Sequence, residues 1–305
     1  MQIVIAGGAG YLGSRLQTEL IAKGHQVQIL TRRETSGGAS GALLSWNPPA
    51  VEGAWLEAVA HADAVVNLAG SSLASGRWTR ARMAEHRESR LNATTAIVSA
   101  LRLSGARGGN KVLVNASAVG YYGNRGDETL EESSAPGSGR LAHLCVDWEH
   151  AAVAAEDFGV RVVRLRTGVV FGSGGALPRL TLPFRLFVGG PLGSGRQWLS
   201  WIHETDEVRL ITYALENKKL AGPVNATAPQ PAREADVARA IGRALGRPSW
   251  LPVPRVMLLV ALGRMADAML FVSQRALPTA AQEAGFRFEY PSLDLALGQI
   301  LSRGR

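Results

Sequence analysis

The chain has 305 residues, 46% of them hydrophobic and 19% charged, so it can bury a sizeable core and is too apolar to remain an extended coil. Its 35 glycines follow no three-residue period, which excludes collagen, and a single cysteine excludes an internal disulfide framework. The formal charge of +8 is carried almost wholly by arginine, since Lys23, Lys111, Lys218 and Lys219 are the only lysines.

Residues 2–6 form a β-branched run ending in glycines, so the chain is expected to open on a strand, without a signal peptide, and a cytoplasmic location follows. Residues 11–23 carry Leu12, Leu16, Leu20 and Ile21 at helical spacing. Residues 27–30 read as a second strand and 43–46 as a third, followed by a turn at Asn47-Pro48-Pro49. Residues 64–68 and 111–116 read as buried strands, and 161–167 as a strand alternating enough to lie less deep. Helical patterns at 81–103 and 141–158 fall between them. Arg77, Arg80, Arg82, Arg87 and Arg90 are the densest basic stretch, but Glu85 and Glu88 break it, so no nucleic-acid partner is expected.

Strands alternating with helices imply an α/β fold, a doubly wound parallel sheet of the Rossmann type. After about residue 172 the pattern changes to a Gly- and Pro-rich stretch, then a helix at 205–215, a strand at 224–226, and helices at 233–246, 255–273 and 292–301. The expected division is a dinucleotide-binding domain over 1–180, to which 204–228 returns, and a smaller, mostly helical substrate-side domain over 181–203 and 229–305. The stripe Leu258, Leu262, Met265, Met269 and Val272 reads as a core helix rather than a membrane-surface one. No apolar run approaches the roughly 20 residues that span a bilayer.

The strongest local signal is Gly7-Gly8-Ala9-Gly10-Tyr11-Leu12-Gly13, between the first strand and the first helix. Glycines there permit a tight turn and close approach to a pyrophosphate, and the helix N-terminus offers oriented N–H groups. The second strand ends in Thr31-Arg32-Arg33, with no carboxylate before Glu34. An acid at that point accepts from a ribose 2′-hydroxyl, whereas arginine suits a 2′-phosphate, so NADP(H) is favoured over NAD(H).

The glycine loop, Asn67-Leu68-Ala69-Gly70 and Asn115-Ala116-Ser117-Ala118-Val119-Gly120-Tyr121-Tyr122-Gly123 together resemble the short-chain dehydrogenase/reductase superfamily, in its extended or atypical branch. More narrowly the chain is similar to the epimerase family protein group, which joins a nucleotide-sugar-epimerase-like Rossmann domain to a short C-terminal domain. Further matches include Ser89-Arg90, Trp148-Glu149, Ser200-Trp201-Ile202-His203, Asn225-Ala226-Thr227-Ala228-Pro229 and Pro252-Val253-Pro254. The resemblance implies Gly7, Gly10, Tyr11, Leu12 and Gly13 at the pyrophosphate and Arg32 and Arg33 at the 2′-phosphate. It puts Trp46 near adenine, Leu68, Ala69 and Gly70 along the ribose, and Thr167, Gly168 and Val169 toward the nicotinamide. Arg90 stands where such proteins usually carry Asn. It is either a further phosphate or carboxylate contact or an ion-pair partner of Glu88 or Asp147.

Members of that superfamily move a proton with a Tyr-x-x-x-Lys pair, and no such pair occurs in this sequence. Counted back from Trp148-Glu149, the two positions fall on Leu141 and Cys145. Ser117 and Tyr121 are the candidate catalytic residues, with either Tyr121 or Tyr122 as proton donor and the other packing in the core. His203 with Asp206 is read as structural, with Thr205 or Asp206 capping the following helix. Trp198, Trp201, Gln197 and Arg196 either roof a pocket or pack between domains. No metal-ligand spacing occurs. The expected function is an NADP(H)-binding oxidoreductase or epimerase-like protein acting on an unknown small carbonyl or alcohol, with a homodimer left open. The alternative is a dinucleotide-binding regulator without turnover, since relatives have been linked to cell or plastid division.

Overall fold

The computed structural model describes residues 1–32, 43–74, 76–105 and 111–302. In chain order the first elements are β1 (Gln2–Ala6), α1 (Tyr11–Ala22), β2 (Gln26–Thr31), β3 (Leu43–Ser45), α2 (Trp55–His61), β4 (Ala64–Asn67) and α3 (Arg80–Leu103). There follow β5 (Val112–Ala118), β6 (Thr129–Leu130), α4 (Arg140–Val153), β7 (Arg161–Thr167), β8 (Val169–Phe171) and α5 (Leu177–Arg185). The last third holds β9 (Trp198–Leu199), β10 (Trp201–His203), α6 (Glu204–Glu216), β11 (Gly222–Ala226), β12 (Ala232–Arg233) and α7 (Glu234–Leu245). It ends with α8 (Arg255–Leu262), α9 (Arg264–Met269), β13 (Arg275–Ala276), α10 (Thr279–Glu283) and α11 (Leu293–Ser302).

Seven parallel strands form one sheet in the order β11-β7-β5-β4-β1-β2-β3. The order reverses between β1 and β4. In an open α/β sheet the crevice beyond the strand ends at that reversal is where ligands bind. Both faces are covered, as an all-parallel sheet requires. Ile3, Ile5, Leu16, Leu20, Ile202 and Ile211 fill one layer, against α1 and α6. Val4, Val65, Ile97, Leu101 and Leu113 fill the other, against α2 and α3. All four residues of β4, Ala-Val-Val-Asn, are buried. A third core, around Phe171, Phe184, Trp201, Ile241 and Leu297, belongs to the chain beyond β7.

Two expectations are corrected. β7 is not the shallow strand its alternation suggested: Arg166 is only 2% exposed, because a carboxylate from α4 accompanies it into the interior. The single core helix over 255–273 is broken at Gly263, whose φ of +62° and ψ of −141° suit glycine alone. No residue of α8 is buried, and Val256, Met257 and Val260 face outward. The core built by α5, α7 and α11 takes no residue from α8. The helix is held by the Arg77 guanidinium donating to the Val260 carbonyl and by an Arg255–Asp267 ion pair at 2.6 Å. No helix among the described residues is long and apolar enough to cross a membrane.

Candidate dinucleotide cleft and its catalytic end

The turn from β1 into α1 has no room for a side chain at Gly7, Gly8 or Gly13. Gly7 has φ +80°, and a Cβ there would come within 2.8 Å of the Leu68 carbonyl carbon. A Cβ at Gly13 would overlap the Gly7 carbonyl oxygen, so α1 and β1 pack closely only with glycine at that position. The Gly10 N–H donates to Gly7 O at 3.0 Å, tightening the loop. The α1 N-cap is Gly10, with no side-chain cap and no acid in the first turn, so its leading N–H groups face the crevice unclaimed by side chains. This is a cradle for an anionic ligand, and it sits beside β4, where Leu68 and Ala69 are half-buried and Gly70 is open.

Tyr11 has a role that spacing did not reveal. Its hydroxyl contacts the Glu204 carboxylate at the start of α6 and accepts the Gly174 N–H at 2.9 Å. Arg15 binds Ser173 Oγ at 2.7 Å and Glu204 at 3.1 Å. A Cβ at Gly174 would lie 2.5 Å from the Tyr11 ring, so the glycine-rich strap after β8 closes directly on the first helix. The signal in the sequence was that strap's glycines, but their partner is 163 residues away.

Arg32 is exposed just beyond β2, and Arg33 lies outside the described residues. Trp46 is buried to 5% exposure and packs edge-to-face on Trp55 at 5.7 Å, and its backbone N–H donates to the Thr31 carbonyl. On the other side of the crevice Thr167, Gly168 and Val169 are half-buried. A Cβ at Gly168 would meet the Ser200 carbonyl at 2.6 Å, and the Thr167 hydroxyl donates to Glu207 Oε1 at 2.8 Å. Glu207 is 1% exposed, its Oε2 has no partner among the described residues, and burial pushes its carboxyl up to about 8. It therefore holds its proton at neutral pH.

At the catalytic end the structure separates Ser117 from Tyr121. The Ser117 hydroxyl is 4% exposed and donates to Glu149 Oε1 at 2.7 Å, so it faces a buried carboxylate instead of the crevice. Glu149 also receives Arg166 through Nε at 2.8 Å and Nη2 at 2.9 Å, a two-bond pair of the strong kind. Arg166 in turn donates to the Tyr122 hydroxyl at 2.9 Å, and that hydroxyl bonds Asn225 Oδ1 at 2.7 Å. Tyr122 is fully buried and burial pushes its phenol up to about 12, so it is the core member of the pair. Tyr121 lays its ring over Arg166, with the guanidinium carbon 3.5 Å from the centroid, and stands edge-on to Tyr122. Its hydroxyl has no partner among the described residues.

Leu141 and Cys145 face Gly120 at van der Waals distance. Cys145 is 2% exposed and burial pushes its thiol up to about 12, so it is no nucleophile. The ion-pair reading of Arg90 is corrected. Asp147 is taken by Arg87 at 2.8 Å, and among the described residues no carboxylate pairs with Arg90.

His203 is structural, but as the α6 cap itself: its Nδ1 accepts the Thr205 N–H at 3.1 Å, which displaces the expected Thr205 or Asp206. Asp206 is fully buried and accepts the N–H groups of Glu289 and Tyr290 at 2.8 Å each. The tryptophans are committed to packing. Trp201 is buried and stacked on Phe171, Trp198 lies between Arg233 and Arg275, and Gln197 holds the Leu192 and Leu270 carbonyls.

Comparison with known proteins gives the same architecture. The model of the NAD dependent epimerase/dehydratase family matches residues 3–226, and a domain of unknown function, DUF1731, matches 253–300. An epimerase family protein of Mycobacterium bovis is 42% identical over 302 residues, covering 99% of this chain and 98% of its own. The Bacillus subtilis epimerase family protein YfhF is 40% identical, covering 99% and 98%. The crystal structure of human epimerase family protein SDR39U1 with NADPH superposes with a TM-score of 0.86 at 30% identity, covering 99% of each chain.

Proposed function

The chain belongs to the NAD-dependent epimerase/dehydratase family, and from that premise we propose that it is an NADP(H)-dependent oxidoreductase acting on a small carbonyl or alcohol compound. The observation that carries this reading is the glycine-built cradle at the uncapped start of α1, with Arg32 at the end of β2 where a 2′-phosphate would lie. The human relative solved with NADPH supports the same cofactor. Gly7, Gly10, Leu12 and Gly13 hold the pyrophosphate, and the Tyr11 backbone adds the first helical turn. Leu68, Ala69 and Gly70 line the ribose, with Trp46 at the adenine end. Thr167, Gly168 and Val169 shape the nicotinamide end, where the unpartnered oxygen of Glu207 offers a buried hydrogen bond.

When bound, the dinucleotide supplies or accepts a hydride at the substrate carbon. Tyr121 gives the balancing proton to the carbonyl oxygen, or removes it from the alcohol in the reverse direction. Its hydroxyl suits this because it has no partner among the described residues while its ring is clamped on the Arg166 guanidinium, an attraction on the order of 1 kcal/mol. Ser117 acts as a positioning residue: it steadies the Glu149 carboxylate that holds Arg166 under that ring.

The test is consumption of NADPH, followed in the nicotinamide absorbance band, across a panel of aldehydes and ketones. On any substrate so found, Tyr121→Phe lowers kcat by about 100-fold or more and leaves NADPH affinity intact. An unchanged kcat contradicts the donor assignment. The second reading, a dinucleotide-binding regulator without turnover, is favoured by Leu141 and the buried thiol of Cys145 where a tyrosine and a lysine are usual. Tight NADPH binding without turnover on any compound of the panel selects it.

A further inference from the structure

Arg90 is a cation placed in the interior with no carboxylate paired to it among the described residues. It is 8% exposed, and its Nη1 donates to the Ser71 carbonyl at 3.1 Å and the His86 carbonyl at 3.0 Å. Its guanidinium lies 5.1 Å from the centre of the Trp148 ring, so one face is covered. Its Nε is buried and has no hydrogen-bond partner among the described residues. A Cβ at Gly70 would come 3.1 Å from the Arg90 Cζ, so the bare Cα of that open glycine lets the group stand at the crevice wall. Arg166, a short distance away in the same catalytic end, shows what a structural buried arginine has here: a carboxylate on two bonds. Burying a guanidinium without such a partner is unfavourable, and proteins accept it where a ligand completes the pair.

The arrangement also points at a ligand of particular shape. With Nη1 tied to two carbonyls and the ring face on Trp148, the Nε–Nη2 edge is the one without a partner among the described residues, and a small turn of the side chain that uncovers Nε matches that edge to the two oxygens of a carboxylate or phosphate. We propose that Arg90 is a built oxyanion seat and that the substrate of this cleft is an anionic carbonyl or alcohol compound. Its carboxylate or phosphate docks on the Nε–Nη2 edge while its reacting carbon lies toward Tyr121. This rests on the oxidoreductase reading for the reaction but not for the seat, which is a property of the chain. The same oxyanion chemistry is present in the dinucleotide's own phosphates, and the experiment separates the two sources.

Oxalate and inorganic phosphate serve as probes, titrated by calorimetry into the whole protein at constant ionic strength, with and without saturating NADPH. Wild-type protein with NADPH is expected to bind at least one probe, Arg90→Gln to bind it at least about tenfold more weakly, and Arg90→Lys to fall between. NADPH affinity is expected to stay within about threefold in both variants. Arg90→Lys keeps the charge and the stem, so it reports even if the glutamine variant fails to fold.

If the probes bind only without NADPH, compete with it, and both variants lose NADPH affinity about tenfold, the seat belongs to the dinucleotide and the substrate assignment is overturned. If wild-type protein binds neither probe in either state, or the variants bind as well as wild type, the seat itself is overturned. Failure of NADPH to bind at all sinks the oxidoreductase reading, and the titration without NADPH still decides the seat.

Discussion

The two ends of the cleft are built on different principles. The end at β1 and α1 works by omission: Gly7, Gly8 and Gly13 leave out the Cβ atoms that close packing would not admit, and the helix start carries no side-chain cap and no acid. The end at β5, α4 and β7 works by pairing, with Glu149, Arg166, Ser117, Tyr122 and Asn225 locked in one buried network. The first kind of site tolerates no added atom but needs little support. The second tolerates isosteric change but collapses if one charge loses its partner. Arg90 is a buried charged group that the network does not absorb.

The sharpest break in that contrast is Glu149→Ala. It leaves Arg166 buried without a counter-charge and should cost about 3–5 kcal/mol of stability, measured as a shift of the urea midpoint. A shift no larger than that of a surface substitution would mean the network is incidental. Gly13→Ala attacks the other end. Its Cβ has only backbone to displace, so a loss of about 1–3 kcal/mol is expected together with loss of detectable NADPH binding. Retained binding would mean that the loop is not the pyrophosphate cradle. Arg32→Ala should leave the fold alone and weaken NADPH about tenfold with little effect on NADH, a difference of about 1.4 kcal/mol.

The remaining effect is a pH dependence. Burial pushes Glu207 up to about 8, above the roughly 4.3 of an unfolded glutamate. Between those values the native protein holds a proton that the unfolded chain has lost, so stability falls as pH rises through that window and levels off above it. Glu207→Gln should flatten part of that decline, read as melting temperature against pH. A residual slope remains from Glu234, which burial pushes up to about 7. An identical profile in the variant would show Glu207 ionised in the native protein.

The same contrast explains what was legible in the sequence. The glycine cradle was readable because its determinants lie within seven consecutive residues, Gly7 to Gly13, between a strand and a helix. The parallel sheet was readable from the spacing of apolar runs. The pairing network was not, because its members meet across the fold: Ser117 finds Glu149, and Tyr122 finds Asn225 103 residues on. Arg166 did leave a trace, as one of three arginines, Arg161, Arg164 and Arg166, in a strand whose other positions are mostly apolar, and Trp148-Glu149 held the acid that such a charge needs. The break at Gly263 was also visible as a lone glycine, but the apolar stripe around it read as a continuous core helix. What the stripe could not show is that the third core takes its residues from α5, α7 and α11 and none from α8.

The central claim is that the glycine end of the cleft holds a dinucleotide carrying a 2′-phosphate. It is tested most directly by titrating the protein with NADPH and NADH in parallel, following energy transfer from its tryptophans to the nicotinamide. Binding of NADPH at least about tenfold tighter than NADH is the predicted result. Equal affinities, or tighter binding of NADH, would contradict it.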